Sequence, residues 1–153
     1  MSELIIGIDP GNTGAVAFLH DGDVDVFDLP LMANGKKQQL NPHELARILA
    51  ACVGRGSALA VIERVSAMPG NGAASMFNFG MGFGVIQGVL AAMQIPYKLV
   101  TPQKWKKAAG LIGKEKDNAR TLAQQLYPSA PLGRKKDIGR ADAILIAKYG
   151  IEG

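Results

Sequence analysis

Cysteine is almost missing from this chain. The single Cys52 excludes a disulfide framework and a cysteine-based zinc site. Histidine is nearly as scarce. His20 closes a predicted strand beside a turn and His43 falls in a predicted first helical turn, so both read as surface residues. No uninterrupted apolar stretch is expected to span a bilayer, and no membrane association is expected. The N-terminus MSELIIGIDPG lacks the basic region and apolar core of a secretory signal. The expectation is a soluble protein of a reducing cytoplasmic compartment.

What is present suits one folded unit. The chain has 153 residues, 48% hydrophobic and 20% charged, enough apolar material for one buried core over residues 1–153. The net charge of +4 is uneven. Residues 1–100 carry 6 Lys/Arg against 8 Asp/Glu, whereas residues 101–153 carry 11 against 5. A basic final third on a slightly acidic remainder points to a polyanionic partner, or else to a solvated lysine-rich surface.

Leu4 to Asp9 is a short apolar run ending in an acid before Pro10-Gly11, as in a central strand that stops at a turn. Thr13 to His20 predicts a second strand. Asp21-Gly22-Asp23 reads as a hairpin turn, and Val24 to Leu29 as a more exposed third strand. Pro30 to Leu40 reads as a polar loop. Asn41, Pro42 and Glu44 form a capping signal for a helix carrying Leu45, Ile48, Leu49 and Cys52. Ala58 to Glu63 is a second apolar run ending in an acid and predicts a central strand beside the first.

Ser66 to Ala74 predicts a loop. Ser75 to Met93 predicts a long buried helix whose Gly80, Gly82, Gly84 and Gly88 are poor helix formers, suggesting close approach of another element or of a second subunit. Pro96 to Val100 predicts a fifth strand. Thr101-Pro102 opens a basic helix, Lys114 to Leu126 forms another, Arg134 to Asp137 is a charged linker, and Arg140 to Tyr149 is a closing helix. The expected architecture is α/β: a mixed five-stranded sheet, with three antiparallel N-terminal strands plus parallel strands, flanked by helices.

The two strand-ending acids suggest chemistry. If their strands are neighbours, Asp9 and Glu63 emerge side by side, and each raises the pKa of the other unless a cation intervenes. Oxygen-only ligands suit Mg²⁺ or Mn²⁺. A third acid, Asp142, lies between Ala141 and Ala143 in the closing helix, and Asp137 lies five residues earlier. Such a cluster fits a two-metal site for phosphodiester chemistry. Each acid also has a plainer reading. Asp9 suits a turn, Glu63 an ion pair with Arg64, Asp137 an ion pair with Lys135 or Lys136, and Asp142 an exposed first turn of a helix.

Ile6-Gly7-Ile8-Asp9-Pro10-Gly11-Asn12-Thr13-Gly14, Val61-Ile62-Glu63-Arg64-Val65 and Arg140-Ala141-Asp142-Ala143 resemble the three signature blocks of RuvC-type Holliday junction resolvases. Pro102 to Lys107, and Lys114 to Pro128, resemble the bacteriophage-encoded branch of that family. The resemblance implies an RNase H-like fold, a homodimer, and Mg²⁺- or Mn²⁺-dependent cutting of branched DNA. It carries the family acids onto Asp9, Glu63 and Asp142. It also calls for an acid or His three residues before the last Asp. That position is Gly139 here, and Asp137 is the nearest substitute.

The resemblance makes the Ser75–Met93 helix the candidate dimer interface. It brings the loop after Glu63 near a junction centre, where Met68 is the apolar side chain available to wedge between bases. Phosphate contacts are expected from Lys104, Lys106, Lys107, Lys114, Lys116, Arg134, Lys135, Lys136 and Arg140. Two other classes stay open. One is a catalytically silent protein that binds branched DNA. The other is an actin-like phosphotransferase or ATPase using the Asp9–Gly14 turn, although a second phosphate-binding half is not visible.

Overall fold

A computed structural model describes residues 3–54, 56–66 and 70–152. Met68 lies outside the described residues, so the wedge expectation is not addressed by the fold.

Seven strands and five α-helices make up the described chain. The strands are β1 (Leu4–Asp9), β2 (Ala15–His20), β3 (Asp23–Asp28), β4 (Leu31–Asn34), β5 (Lys37–Leu40), β6 (Ala58–Glu63) and β7 (Tyr97–Val100). The helices are α1 (Pro42–Val53), α2 (Ala73–Ala92), α3 (Pro102–Ala109), α4 (Asp117–Leu126) and α5 (Ile138–Tyr149). The main sheet runs β3-β2-β1-β6-β7. β1 pairs antiparallel with β2 and parallel with β6, and β6 pairs parallel with β7. This is the expected mixed five-stranded sheet.

Strand alternation divides the core into two layers. Ile6, Ile8, Val16, Phe18, Ala60 and Ile62 point to one face, against Leu45 and Leu49 of α1 and Ile86 and Leu90 of α2. Ala15, Ala17 and Val61 point to the other, where Ile144 and Leu145 of α5, Ala123 of α4 and Trp105 of α3 cover them. The two strand-ending acids have the parity of this second face: Asp9 follows Gly7, and Glu63 follows Val61.

Gly7 determines how closely α5 lies on the sheet. A Cβ there would overlap the Ala143 carbonyl and come within 2.8 Å of the Ala147 Cβ. The helix therefore rests directly on β1, with Asp142 one residue before that contact.

Several expectations change. Pro30 to Leu40 is not an open loop. β4 and β5 form a separate antiparallel hairpin, turning at Gly35 with a φ of +64°, and the polar run Lys37-Gln38-Gln39 had concealed it. The Asn41 side chain does accept from the Glu44 N–H at 3.1 Å, but the Glu44 carboxylate pairs with Arg47 in place of completing a capping box. The second basic helix begins at Asp117, which leaves Lys114 and Lys116 in the preceding turn.

The long helix also differs from expectation. By length and composition alone α2 is apolar enough to cross a membrane, because Ser75, Asn78 and Gln87 dilute its apolar character too little. In the fold it packs Ile86 and Leu90 into the core. A Cβ at Gly80, Gly82, Gly84 or Gly88 would meet nothing within 4 Å. The described residues leave the Cβ side of each of these glycines open, so contacts among them do not account for the absence of side chains there. Phe77 on the same helix is 73% exposed.

Candidate active site

β1 and β6 run parallel in a register that pairs Ile8 with Ile62. The next residue on each strand is an acid. Asp9 and Glu63 therefore end neighbouring central strands at the same level, and both strands are apolar enough to sit at the middle of the sheet. α5 crosses this end and contributes Asp142 between the fully buried Ala141 and Ala143.

The three acids line one cavity of about 540 Å³. Its walls also carry Thr13, Lys106, Lys114, Glu115, Lys116, Lys135 and Lys136. Burial pushes the Asp9 carboxyl up to about 8, and the negative charges of Asp142 and Glu63 add to the rise. Burial likewise lifts Asp142 to about 7, with Glu63 adding to it. Lys106 opposes both shifts. No ion pair among the described residues includes Asp9, Glu63 or Asp142. Glu63 instead accepts a hydrogen bond from the indole N–H of Trp105, Nε1 to Oε2 at 2.7 Å.

The donor chemistry of this cavity fits a hard divalent cation. It offers carboxylate oxygens, no thiol and no imidazole, and two of its carboxyls, Asp9 and Asp142, are raised first by burial and then by neighbouring negative charge, which a cation would relieve. Among the described residues, no group of three or more His, Cys, Asp or Glu side chains is drawn together closely enough to cage an ion.

Asp137 does not join the three acids. It is 2% exposed and absent from the cavity wall. Its Oδ2 accepts from the Arg134 backbone N–H at 2.8 Å and its Oδ1 from the Arg134 guanidinium at 2.8 Å. Arg140 lies 3.6 Å from the same Oδ1. The arginine hydrogen bonds hold this carboxyl below the usual carboxylate range. Asp137 staples the turn into α5, which corrects the expectation that it substitutes for a fourth site acid. Position 139 has no room for one either: a Cβ on Gly139 would overlap the Thr13 carbonyl oxygen.

The basic residues divide in the same way. Lys106, Lys114, Lys116, Lys135 and Lys136 face the acid cavity. Lys104 and Lys107 are exposed on α3 but lie off its wall. Arg134 is engaged with Asp137. Arg140 grips Asp28 with two hydrogen bonds, at 2.8 and 3.1 Å, and donates to the Pro131 carbonyl. Arg140 is thus an internal brace, not the free cation expected near the acids. Sequence reasoning also passed over Trp105. Its signal was an isolated large apolar residue among lysines, at a helix position that turns inward.

Comparison with known proteins agrees with this architecture. No family profile matches the chain. The chloroplastic Holliday junction resolvase MOC1 of Chlamydomonas reinhardtii is 33% identical over 93 residues, covering 59% of this chain and 10% of that protein. The chain thus spans about a tenth of the length of the curated relative it matches. Thermus thermophilus RuvC superposes with a TM-score of 0.60 at 16% identity, over 97% of this chain and 95% of that one. The same protein in complex with a Holliday junction substrate gives 0.61 at 15% identity, over 95% and 90%. The yeast mitochondrial Holliday junction resolvase Ydc2 gives 0.53 at 19% identity, over 95% and 76%.

The chain has the RNase H-like fold of the RuvC-type resolvases. In sequence, the stretch it shares with a curated protein is shared with a Holliday junction resolvase.

Proposed function

We propose that this protein is a metal-dependent, structure-selective endonuclease that cleaves Holliday junctions and related branched DNA. The observation that carries the reading is the convergence of Asp9, Glu63 and Asp142, from β1, β6 and α5, on one lysine-walled cavity. The similarity to junction resolvases supports the substrate class.

Asp9, Glu63 and Asp142 are the residues that would hold Mg²⁺ or Mn²⁺. When bound, such ions supply Lewis-acid stabilisation of a phosphodiester and activation of water. The chain's own groups do the rest. Asp9 and Asp142, raised by burial, would give up their protons to hold positive charge, with Glu63 as the third carboxylate. Lys106, Lys114, Lys116, Lys135 and Lys136 attract the sugar-phosphate backbone and offset its repulsion by the acids. Contacts of this kind read shape, not sequence, which suits a branched substrate. The exposed face of α2 that carries Gly80, Gly84, Gly88 and Phe77 supports a homodimer through that helix, since two-fold symmetry matches paired cuts across a junction.

The test is cleavage of a synthetic four-way junction, a fork and a linear duplex, each with Mg²⁺, Mn²⁺ or EDTA. Cutting of the branched DNAs alone, dependent on the ion, supports the reading. Junction binding without cutting under every condition would favour a catalytically silent branched-DNA-binding protein, a reading supported by the absence of a fourth acid at Gly139.

A further inference from the structure

We propose that Trp105 is a positioning residue that fixes the Glu63 carboxylate for the cation through its indole N–H. The inference rests on the nuclease reading above and concerns a residue outside the acid set. Trp105 is 0% exposed, and a buried indole N–H needs an acceptor. It finds one 42 residues away, at Glu63 Oε2, at 2.7 Å.

The choice of donor matters. Asp28 and Asp137 are each held by arginine, which orients a carboxylate but also neutralises the negative charge it would offer to an ion. A neutral N–H orients Glu63 and leaves its charge uncancelled. The bond engages Oε2 alone, so the carboxylate is held by one oxygen in one orientation. The helix that carries the indole is anchored in its turn. Thr101 caps α3 through the Lys104 N–H, and the backbone N–H of Trp105 bonds the Thr101 carbonyl. The Lys106 ammonium lies over the Trp105 ring, 5.6 Å from its centroid. One indole therefore braces an acid with its edge and a cation of the same cavity with its face.

The chain has one tryptophan, so replacing tryptophan throughout the protein alters this site alone. Protein grown in a tryptophan auxotroph on β-(benzothien-3-yl)alanine keeps the ring shape and the face under Lys106, with sulfur where the N–H stood. 5-Fluorotryptophan keeps the N–H and serves as the conservative control. The readouts are the Mn²⁺ dissociation constant, from the paramagnetic resonance of free Mn²⁺, and the kcat and KM for a four-way junction. The expected result is a loss of about 10- to 100-fold in Mn²⁺ affinity or kcat for the benzothienyl protein, on the scale of other supporting partners of metal ligands. KM should stay unchanged and the fluorotryptophan protein should behave as the natural one.

Trp105→Phe should lose the same function, with a lower Tm as well from its smaller ring. If the natural protein binds Mn²⁺ and cuts, and the benzothienyl protein does both equally well, Trp105 is only core filling and this inference alone falls. If the natural protein neither binds Mn²⁺ nor cuts, the nuclease reading falls and this inference with it.

Discussion

Gly7 of β1 lies against the backbone of Ala143 in α5, with no space for a Cβ between them. That close approach holds the last helix on the first strand, and so holds Asp142 over the end where Asp9 emerges. Gly7→Ala should force the two apart. Overpacking of this kind costs about 3 kcal/mol, a fall in Tm of about 6–12 °C for a chain of this size. Thermal unfolding by circular dichroism measures it, and an unchanged Tm would contradict the tight packing.

Removal of an acid should separate chemistry from stability. Asp9→Asn should lower junction cleavage by at least about 100-fold, the scale on which loss of one preorganised electrostatic group acts elsewhere, while junction binding in a gel-shift assay stays close to natural. Normal cutting by Asp9→Asn would refute the site assignment.

Stability without divalent ions should fall as pH rises. Asp9 and Asp142 stand near 8 and 7 in the folded chain, against an ordinary value of 3.8. Between about pH 4 and 8 the unfolded chain therefore binds fewer protons than the folded one at these groups, and stability declines with pH until both are ionised. Urea midpoints in EDTA from pH 5 to 9 should trace that decline, with a shallower slope for Asp9→Asn. Adding Mg²⁺ or Mn²⁺ at pH 8 should raise the midpoint, because the ion binds only the folded chain.

Asp137→Asn should behave in the opposite way. Its carboxyl is held below the ordinary range by Arg134, so it stabilises the fold above about pH 4 and ceases to do so as pH falls through its lowered value. The variant should lose a few degrees of Tm at neutral pH and retain kcat where it is folded. Loss of kcat with an unaltered Tm would return Asp137 to the catalytic set.

Charge reversal at Lys135 and Lys136 together should weaken junction binding and flatten its salt dependence, by about 0.9 in the log–log slope for each phosphate no longer neutralised. Reversal at Lys104 and Lys107, which lie off the cavity wall, should change both less. Fluorescence anisotropy with a labelled junction at several salt concentrations separates the two pairs.

Much of this architecture is visible in one dimension. The runs before Asp9 and Glu63 are apolar over five residues, which only a central strand can bury, and their shared ending in an acid predicted the meeting of the two. Other features depend on partners far away in sequence. Asp137 and Asp142 both carry a carboxylate in the same helical neighbourhood, and nothing local says that Arg134 takes one of them. Arg140 looks like a surface cation until β3 brings Asp28 to it. The β4–β5 hairpin was hidden because its exposed polar residues follow no apolar alternation. Trp105 could be read as a core residue, but its hydrogen-bond acceptor lies on a strand that only the fold brings near.

The acids stand far apart along the polypeptide, from Asp9 to Asp142, and the last is carried by α5, which is made after β1 and β6. Growing chains on the ribosome, at about 5–20 residues per second, carry Asp9 and Glu63 for several seconds with no Asp142 beside them. A nascent copy thus holds two of the three acids in place before the third exists, and the set is complete only once α5 docks on β1.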